Sequence, residues 1–191
     1  ALGSLYKNTH VGNFGSLSTL SFNGNKIITT GGGGIILTNS EILAKRAKHI
    51  TTTAKVAHPW AYQHNEIGFN YRLPNLNASL GVAQIESLPI YLKNKREIAR
   101  EYQKWGKNNG FNFVIEPKDT FANYWLNTIL ASDKKQRDAI LKKTNGSNVM
   151  TRPSWTPIHQ LSIYKDCFKS DLKNTNLLAD RIINLPSSPN I

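Results

Sequence analysis

Residues 21–34, SFNGNKIITTGGGG, are the stretch that decides how this chain is interpreted, because they place one lysine between a short polar segment and four consecutive glycines. Glycines allow positive φ and, having no Cβ, let the backbone approach a bound group closely. Residues 35–38, IILT, then predict a strand. Ser21 lies five residues before Lys26, so that its hydroxyl and nearby backbone N–H groups can bind a phosphate while the amine reaches a carbonyl. The stretch predicts a glycine-rich loop that presents a lysine.

This arrangement suits pyridoxal phosphate (PLP), which combines a phosphate with a carbonyl group. A plain hairpin with an exposed lysine at position 26 explains the same residues equally well. The stretch is not the phosphate-binding loop that ends in Gly-Lys-Ser/Thr, since Lys26 precedes the glycines. Residues 21–34 by themselves leave both interpretations open.

Charge and cysteine content limit the classes of partner and compartment. Lys and Arg number 24 against 12 Asp and Glu, a formal charge of +12, which favours an anionic partner such as nucleic acid, a membrane surface or a phosphorylated small molecule. The basic residues are dispersed, however, as on solvated helix faces. Cys167 is the single cysteine, which excludes an intrachain disulfide and favours a reducing, cytoplasmic compartment. No apolar run approaches membrane-spanning length.

The remainder of the chain predicts an α/β protein. We expect a helix from residue 41, two long helices over 74–88 and 90–108 separated at Pro89, a strand over 124–131, and a final helix over 175–183. Residues 54–77 are a long loop rich in polar and aromatic side chains, the kind of segment that often carries function. Two histidines and Glu66 in this loop could suggest a metal site, but no further ligand cluster completes it, so no metal is expected.

Two segments together resemble the DegT/StrS-type, PLP-dependent sugar aminotransferases. One is the lysine stretch, and the other is residues 68–84, GFNYRLPNLNASLGVAQ. Three more segments are similar to the LegC-type branch, the aminotransferases of legionaminic-acid and related nonulosonate pathways: residues 51–60, TTTAKVAHPW, residues 150–155, MTRPSW, and residues 184–188, NLPSS. The resemblance extends over essentially the whole chain.

The resemblance implies PLP fold type I, the aspartate aminotransferase-like α/β fold. Residues 1–88 would be the C-terminal part of the PLP-binding large domain, and residues 89–191 the connecting helix and the small C-terminal α/β domain. The 191 residues match only the C-terminal half of a family member. The acid that pairs with the pyridine nitrogen belongs to the missing N-terminal half, so we expect these residues to be inactive alone. Family members are homodimers with shared active sites.

The resemblance also implies roles for individual residues. Lys26 would be the catalytic lysine, which binds PLP covalently and then moves protons as general acid and base. Ser21 would bind the cofactor phosphate, and Asn70 the phosphate of the neighbouring subunit's cofactor. Four residues are candidate nucleotide-sugar contacts, although a structural role is at least as compatible with each: His58, Trp60, Tyr71 and Arg152.

The implied reaction transfers an amino group from glutamate to C4 of a UDP-4-keto-6-deoxy-N-acetylhexosamine. Its product would be a UDP-4-amino-4,6-dideoxy sugar for nonulosonate or surface-glycan synthesis. One alternative is a sister aminotransferase that acts on another nucleotide ketosugar. From a different class, a basic nucleic-acid-binding module would also suit the charge, but no recognition motif or interleaving of aromatic and basic residues supports it.

Overall fold

The structure, a computed structural model, describes residues 1–189 and is mixed α/β, as the sequence predicts. Its α-helices are α1 (Glu41–Thr51), α2 (Asn75–Asn109), α3 (Lys134–Gly146) and α4 (Lys173–Ala179). Its strands are β1 (Leu5–Tyr6), β2 (Thr9–His10), β3 (Ser18–Ser21), β4 (Gly34–Leu37), β5 (Lys55–Val56), β6 (Gln63–His64), β7 (Asn112–Phe113), β8 (Thr120–Phe121), β9 (Asn127–Leu130), β10 (Arg152–Pro153) and β11 (Ile182–Leu185).

The chain forms two compact units. The first contains Ala1–Leu92 and Pro117–Asn123, and the second contains Lys93–Glu116 and the residues from Tyr124 onward. Helix α2 contributes its N-terminal half to the first unit and its C-terminal half to the second. The boundary between a large and a small domain after residue 88 stays a prediction.

The first unit is built from antiparallel strand pairs and one capped helix. Strands β2, β1 and β8 form a sheet in that order, and β3–β4 and β5–β6 form two further antiparallel pairs. Helix α1 begins after Ser40, whose hydroxyl accepts a hydrogen bond from the Leu43 N–H. A serine cap satisfies one of the unpaired N–H groups of the first turn. The helix predicted from residue 41 is therefore confirmed.

The second unit is a four-stranded antiparallel sheet with strand order β10-β11-β9-β7. Its core consists of Ile129, Ala131 and Ile183. Helix α3 is capped by Asp133, whose carboxylate accepts from the Gln136 N–H at 2.8 Å. The helix predicted over 175–183 is wrong at its end: α4 stops at Ala179, and residues 182–185 form β11 because Ile183 pairs with Ile129 and is fully buried in the sheet.

Pro89 does not separate two helices, contrary to the prediction. Helix α2 continues through it from Asn75 to Asn109. A proline inside a helix removes one backbone hydrogen bond and clashes with the preceding turn. Packing on both sides offsets that cost: Leu88 and Tyr91 contact the apolar core of the first unit, and Ala99 is fully buried.

Lys95 is a buried lysine on α2 within the second unit. It is only 4% exposed, and its ammonium donates to the main-chain carbonyls of Ser187, at 2.5 Å, and Trp125, at 3.3 Å. Burial lowers the pKa of Lys95 from its usual value. These bonds fix residues near the end of the described chain to α2. Within residues 1–189, no helix is both long and apolar enough to cross a membrane.

Candidate functional site

The lysine lies on the loop that joins β3 to β4. The two strands pair antiparallel, with Ser21 opposite Gly34. Beyond that pair, the Phe22 N–H donates to the Gly33 carbonyl and the Thr30 N–H donates to the Phe22 carbonyl, both at 3.0 Å. The base of the loop is thus tied by main-chain hydrogen bonds.

Lys26 itself sits on a turn that an apolar residue anchors. Its N–H donates to the Asn23 carbonyl at 3.0 Å, and the residue as a whole is half-buried. Two positions later, Ile28 is 1% exposed and forms the core of this unit with Leu20 and Phe22. The lysine is therefore carried by a supported loop, as a residue that must hold a ligand in one geometry requires.

Three of the four glycines are required by the backbone or its neighbours, including Gly34, where an added Cβ would lie 2.5 Å from the Leu20 carbonyl oxygen. Gly31 and Gly33 have φ of +80° and +85°, a conformation that residues with a Cβ rarely adopt. A Cβ on Gly33 would lie 2.8 Å from Leu73 Cδ1. By contrast, a Cβ on Gly24 or Gly32 would meet nothing within 4 Å. The conformation of the loop therefore depends on glycine near its end, while there is free space beside Gly24 and Gly32.

The structure brings together the two segments that carry the family resemblance. Near the start of α2, the Asn77 side-chain amide donates to the Thr30 carbonyl at 2.5 Å. About two turns further along α2, the Gln84 side-chain carbonyl accepts from the Thr29 N–H at 3.3 Å. A Cβ on Gly81 would lie 3.0 Å from Thr30 Cγ2. Residues 68–84 thus support the lysine loop through Asn77 and Gln84, two residues that the sequence argument did not single out.

Ser21 and Asn70 offer polar groups of the kind that bind phosphate. Ser21 is exposed at the end of β3, and its hydroxyl accepts from the Asn23 N–H at 3.4 Å, a weak bond that leaves the hydroxyl proton available. Asn70 forms an isolated antiparallel bridge with Thr52. Its side-chain carbonyl accepts from Arg72 Nη1 at 3.2 Å, which directs the amide N–H₂ group away from Arg72 as a donor.

Arg72 connects Asn70 to the end of α1. Besides its bond to the Asn70 side chain, it donates from Nη2 to the Thr52 carbonyl at 3.0 Å. One guanidinium therefore fixes both the side chain of Asn70 and the backbone of the residue that Asn70 faces. Sequence reasoning missed Arg72 as a positioning residue, although its spacing of two from Asn70 was visible.

His58, Trp60 and Tyr71 lie in the long polar and aromatic segment of the first unit. His58 Nδ1 accepts from the N–H groups of Trp60, at 3.3 Å, and Ala61, at 2.9 Å, so this ring closes the turn between β5 and β6. Its ring meets the Trp60 ring edge-on, with centroids 4.9 Å apart. Trp60 is 81% exposed, and the Tyr71 ring stacks on Phe69 with centroids 5.2 Å apart. The two exposed rings are available for contact with a ligand or a partner.

Glu66, considered in the sequence as a metal ligand, forms an ion pair. Both of its carboxylate oxygens accept from Arg46 on α1, and His49 Nε2 lies 3.3 Å from one of them. The hydrogen bonds from Arg46 lower the pKa of the Glu66 carboxyl and raise the pKa of Arg46. Across residues 1–189, no group of three or more His, Cys, Asp and Glu could hold a metal ion. Glu66 attaches the segment after β6 to α1.

Arg152 belongs to the second unit. It is exposed on β10, where it pairs with Asn184 of β11. Of the seven candidate site residues, the other six (Ser21, Lys26, His58, Trp60, Asn70 and Tyr71) belong to the first unit. Their roles stay predictions.

Comparison with known proteins identifies the class. The model of the DegT/DnrJ/EryC1/StrS aminotransferase family matches residues 1–191, and the chain belongs to this family. It is 38% identical over 191 residues to a GDP-perosamine synthase from Escherichia coli O157:H7, covering 100% of this chain and 52% of the relative.

Two further relatives are both from Helicobacter pylori. A UDP-4-amino-4,6-dideoxy-N-acetyl-beta-L-altrosamine transaminase is 29% identical over 197 residues, and the match covers 100% of this chain and 52% of the transaminase. The solved structure of PseC, described as an aminotransferase involved in the biosynthesis of pseudoaminic acid, superposes with a TM-score of 0.93 at 27% identity, covering 100% of this chain and 53% of PseC. This likeness confirms the fold type I prediction. The chain spans about half the length of these relatives.

The donor set of the first unit fits the cofactor of this family, which is PLP. The loop carries a hydroxyl, from Ser21, and an amine, from Lys26. Between these two residues, Gly24 leaves free space next to the backbone. These are the groups that a phosphate and a carbonyl need. Lys26 and Ser21 carry these groups on the loop, and Asn70 offers a further amide N–H₂ donor on a separate segment of the first unit.

Proposed function

We propose that the protein containing these residues is a PLP-dependent aminotransferase that moves an amino group from glutamate to C4 of a UDP-4-keto-6-deoxy-N-acetylhexosamine. The product is a UDP-4-amino-4,6-dideoxy sugar for nonulosonate or surface-glycan synthesis, in the LegC-type, legionaminic-acid branch. The observation that carries the proposal is Lys26 on a glycine-bounded loop, held by Asn77 and Gln84 from the second family segment.

In this proposal three residues act on the cofactor. When bound, PLP supplies an electron sink that stabilises negative charge next to the amino nitrogen. Lys26 Nζ would hold the cofactor covalently, and its amine would then be the general acid and base that moves a proton. The Ser21 hydroxyl would donate to the cofactor phosphate, and the Asn70 amide N–H₂ group would donate to the phosphate of the neighbouring subunit's cofactor. Arg72 supports this role by keeping the carbonyl side of the Asn70 amide occupied.

We assign the nucleotide sugar to His58, Trp60, Tyr71 and Arg152. The exposed rings of Trp60 and Tyr71 are suited to stacking on a base or a sugar face. The exposed guanidinium of Arg152 is suited to a diphosphate, and the net charge of +12 favours an anionic substrate. His58 contributes by shaping the turn that presents Trp60.

We further propose a homodimer in which the segment around β5 and β6 lies at the subunit interface. Trp60, Tyr62 and Ile67 are each more than four-fifths exposed in this short segment, and exposed apolar groups of this kind mark interaction surfaces. Asn70 follows directly, which is consistent with its contact to the cofactor of the neighbouring subunit. The single, exposed Cys167 is consistent with a reducing, cytoplasmic location.

One observation favours a second substrate. The GDP-perosamine synthase is 38% identical to this chain, compared with 29% for the UDP-sugar transaminase. A GDP-linked ketosugar is therefore the second candidate, and both belong to the same class of reaction.

The test compares UDP- and GDP-linked 4-keto-6-deoxy sugars as acceptors at a fixed glutamate concentration. It uses a protein that contains these residues and is as long as the relatives. We expect kcat/KM to be at least about tenfold higher for the UDP-linked acceptor, a difference of about 1.4 kcal/mol in transition-state binding. A preference for the GDP-linked acceptor would support the second candidate. No transfer to either acceptor, in a protein that binds PLP, would reject both.

A further inference from the structure

An apolar cavity in the second unit is separate from every residue discussed above as a site residue. It has a volume of about 490 Å³ and lies between the C-terminal part of α2, helix α3 and strands β9 and β11. Its walls include Trp105, Phe111, Ile129, Val149 and Leu185. Small-molecule sites are typically concave, mostly apolar and of this order of volume.

One side of the cavity is aromatic. The rings of Trp105 and Phe111 stack with centroids 5.1 Å apart and planes within 17° of parallel. Trp105 and Val149 each remain nearly half exposed, so the cavity opens to the surface of the unit. The side chains of this pair can meet a further ring edge-on or on an outer face, and the aliphatic lining opposite adds apolar contact, which favours an aromatic body over a polar one.

The hydroxyl groups that line the cavity form hydrogen bonds within residues 1–189, whereas the ammonium of Lys143 does not. The Tyr102 hydroxyl donates to the Pro186 carbonyl at 3.0 Å. The Thr144 and Thr151 hydroxyls lie 2.6 Å apart, and Thr144 also donates to the Ile140 carbonyl at 2.8 Å. Lys143 is the lining residue that carries a charge at neutral pH, and it makes no ion pair or hydrogen bond through its ammonium with any of residues 1–189.

The positive charge of Lys143 therefore favours a ligand with a negative charge. A lysine at the mouth of an apolar cavity attracts an anionic group, and a carboxylate can accept a charge-assisted hydrogen bond from it. The surrounding unit strengthens the same preference, because its sequence holds 16 Lys and Arg against eight Asp and Glu. We propose that this cavity binds a small aromatic carboxylate, with the ring against Trp105 and Phe111 and the carboxylate on Lys143. The ligand would act as an effector, apart from the lysine loop.

The test uses two probes of nearly equal shape, 2-naphthoate and the neutral 2-naphthylmethanol, titrated by calorimetry into the native protein at low ionic strength. We expect one site per chain, with the acid bound about two- to fivefold more tightly than the alcohol, the difference that one exposed charge pair supplies. Lys143→Gln should remove this preference. Lys142→Gln is the matched control, because Lys142 precedes it on α3 and does not line the cavity, and it should leave the preference nearly unchanged.

A second variant tests the apolar part of the site. Val149→Trp places a large ring at the half-exposed edge of the cavity and should abolish binding of both probes, while circular dichroism shows the native fold. The proposal is overturned if neither probe gives saturable heat, if Lys143→Gln binds the acid as tightly as the native protein, or if Val149→Trp binds either probe unchanged. It is also overturned if sedimentation shows a dimer that Val149→Trp dissociates, because a second copy of the chain would then cover the cavity.

Discussion

Truncation of Ile28 tests whether the apolar residue behind the lysine loop holds that loop in place. Ile28→Ala removes three carbons from a side chain that is 1% exposed. At about 0.8 kcal/mol per buried methylene the transfer loss is about 2.4 kcal/mol. The cavity left among Leu20 and Phe22 adds to it, so we expect a loss of about 3–4 kcal/mol, inside the range of ~2–5 kcal/mol for such truncations.

Urea unfolding of both proteins measures this loss as a change in midpoint at constant slope. Ile42→Ala is the control, because it deletes the same three carbons from a residue that is 81% exposed on α1, and it should change the free energy of unfolding by less than about 0.5 kcal/mol. In the folded Ile28→Ala protein we also expect weaker PLP binding. If Ile28→Ala cost no more than Ile42→Ala, the account of how the lysine loop is supported would be refuted.

Three further predictions follow from single contacts. Gly33→Ala should destabilise the protein by about 1–2 kcal/mol in thermal unfolding, because its φ is +85° and its Cβ would contact Leu73, whereas Gly32→Ala should be nearly neutral. Burial lowers the pKa of Lys95, so between the lowered pKa and 10.5 the unfolded chain binds more protons than the folded one and stability rises with pH. In urea titrations the native protein should therefore gain stability relative to Lys95→Met as the pH rises towards 10.5, and parallel curves would contradict this. Arg72→Lys should raise the Kd for PLP about fivefold, yet have no added effect on top of Asn70→Ala, whereas additive losses would show that Arg72 does not act through Asn70.

Local rules predict much of the fold from the sequence. The helix that begins at residue 41 and the strand that resumes after the glycine run both depend on neighbouring residues, and both are confirmed. The helix break at Pro89 and the helical prediction for residues 182–183 are wrong, because tertiary contacts decide both. Helix α2 continues through Pro89 since its flanking residues are packed, and Ile183 becomes a strand residue since it pairs with Ile129.

The candidate site likewise contains residues that local sequence reveals and residues that only tertiary contacts reveal. The candidate lysine and its glycines were visible in one stretch of sequence, because their spacing is local. Asn77 and Gln84 were not singled out, because their importance arises from hydrogen bonds to partners that are 47 and 55 residues away along the chain. Arg72 contacts Asn70 only two residues away, but its second partner, Thr52, is 20 residues away and is identified only in the folded chain. A segment that matches a family motif marks the neighbourhood of such residues, but only the folded chain identifies which side chains contact the loop.

The most direct test of the central claim is to locate the covalent attachment of PLP. The protein, at the length of its relatives, would be incubated with PLP, reduced with borohydride, digested and analysed by mass spectrometry, with Lys26→Ala in parallel. We predict one reduced pyridoxyl group, on the peptide that contains Lys26, and none in Lys26→Ala. Attachment to another lysine such as Lys55, or no attachment in a folded protein, would contradict the account.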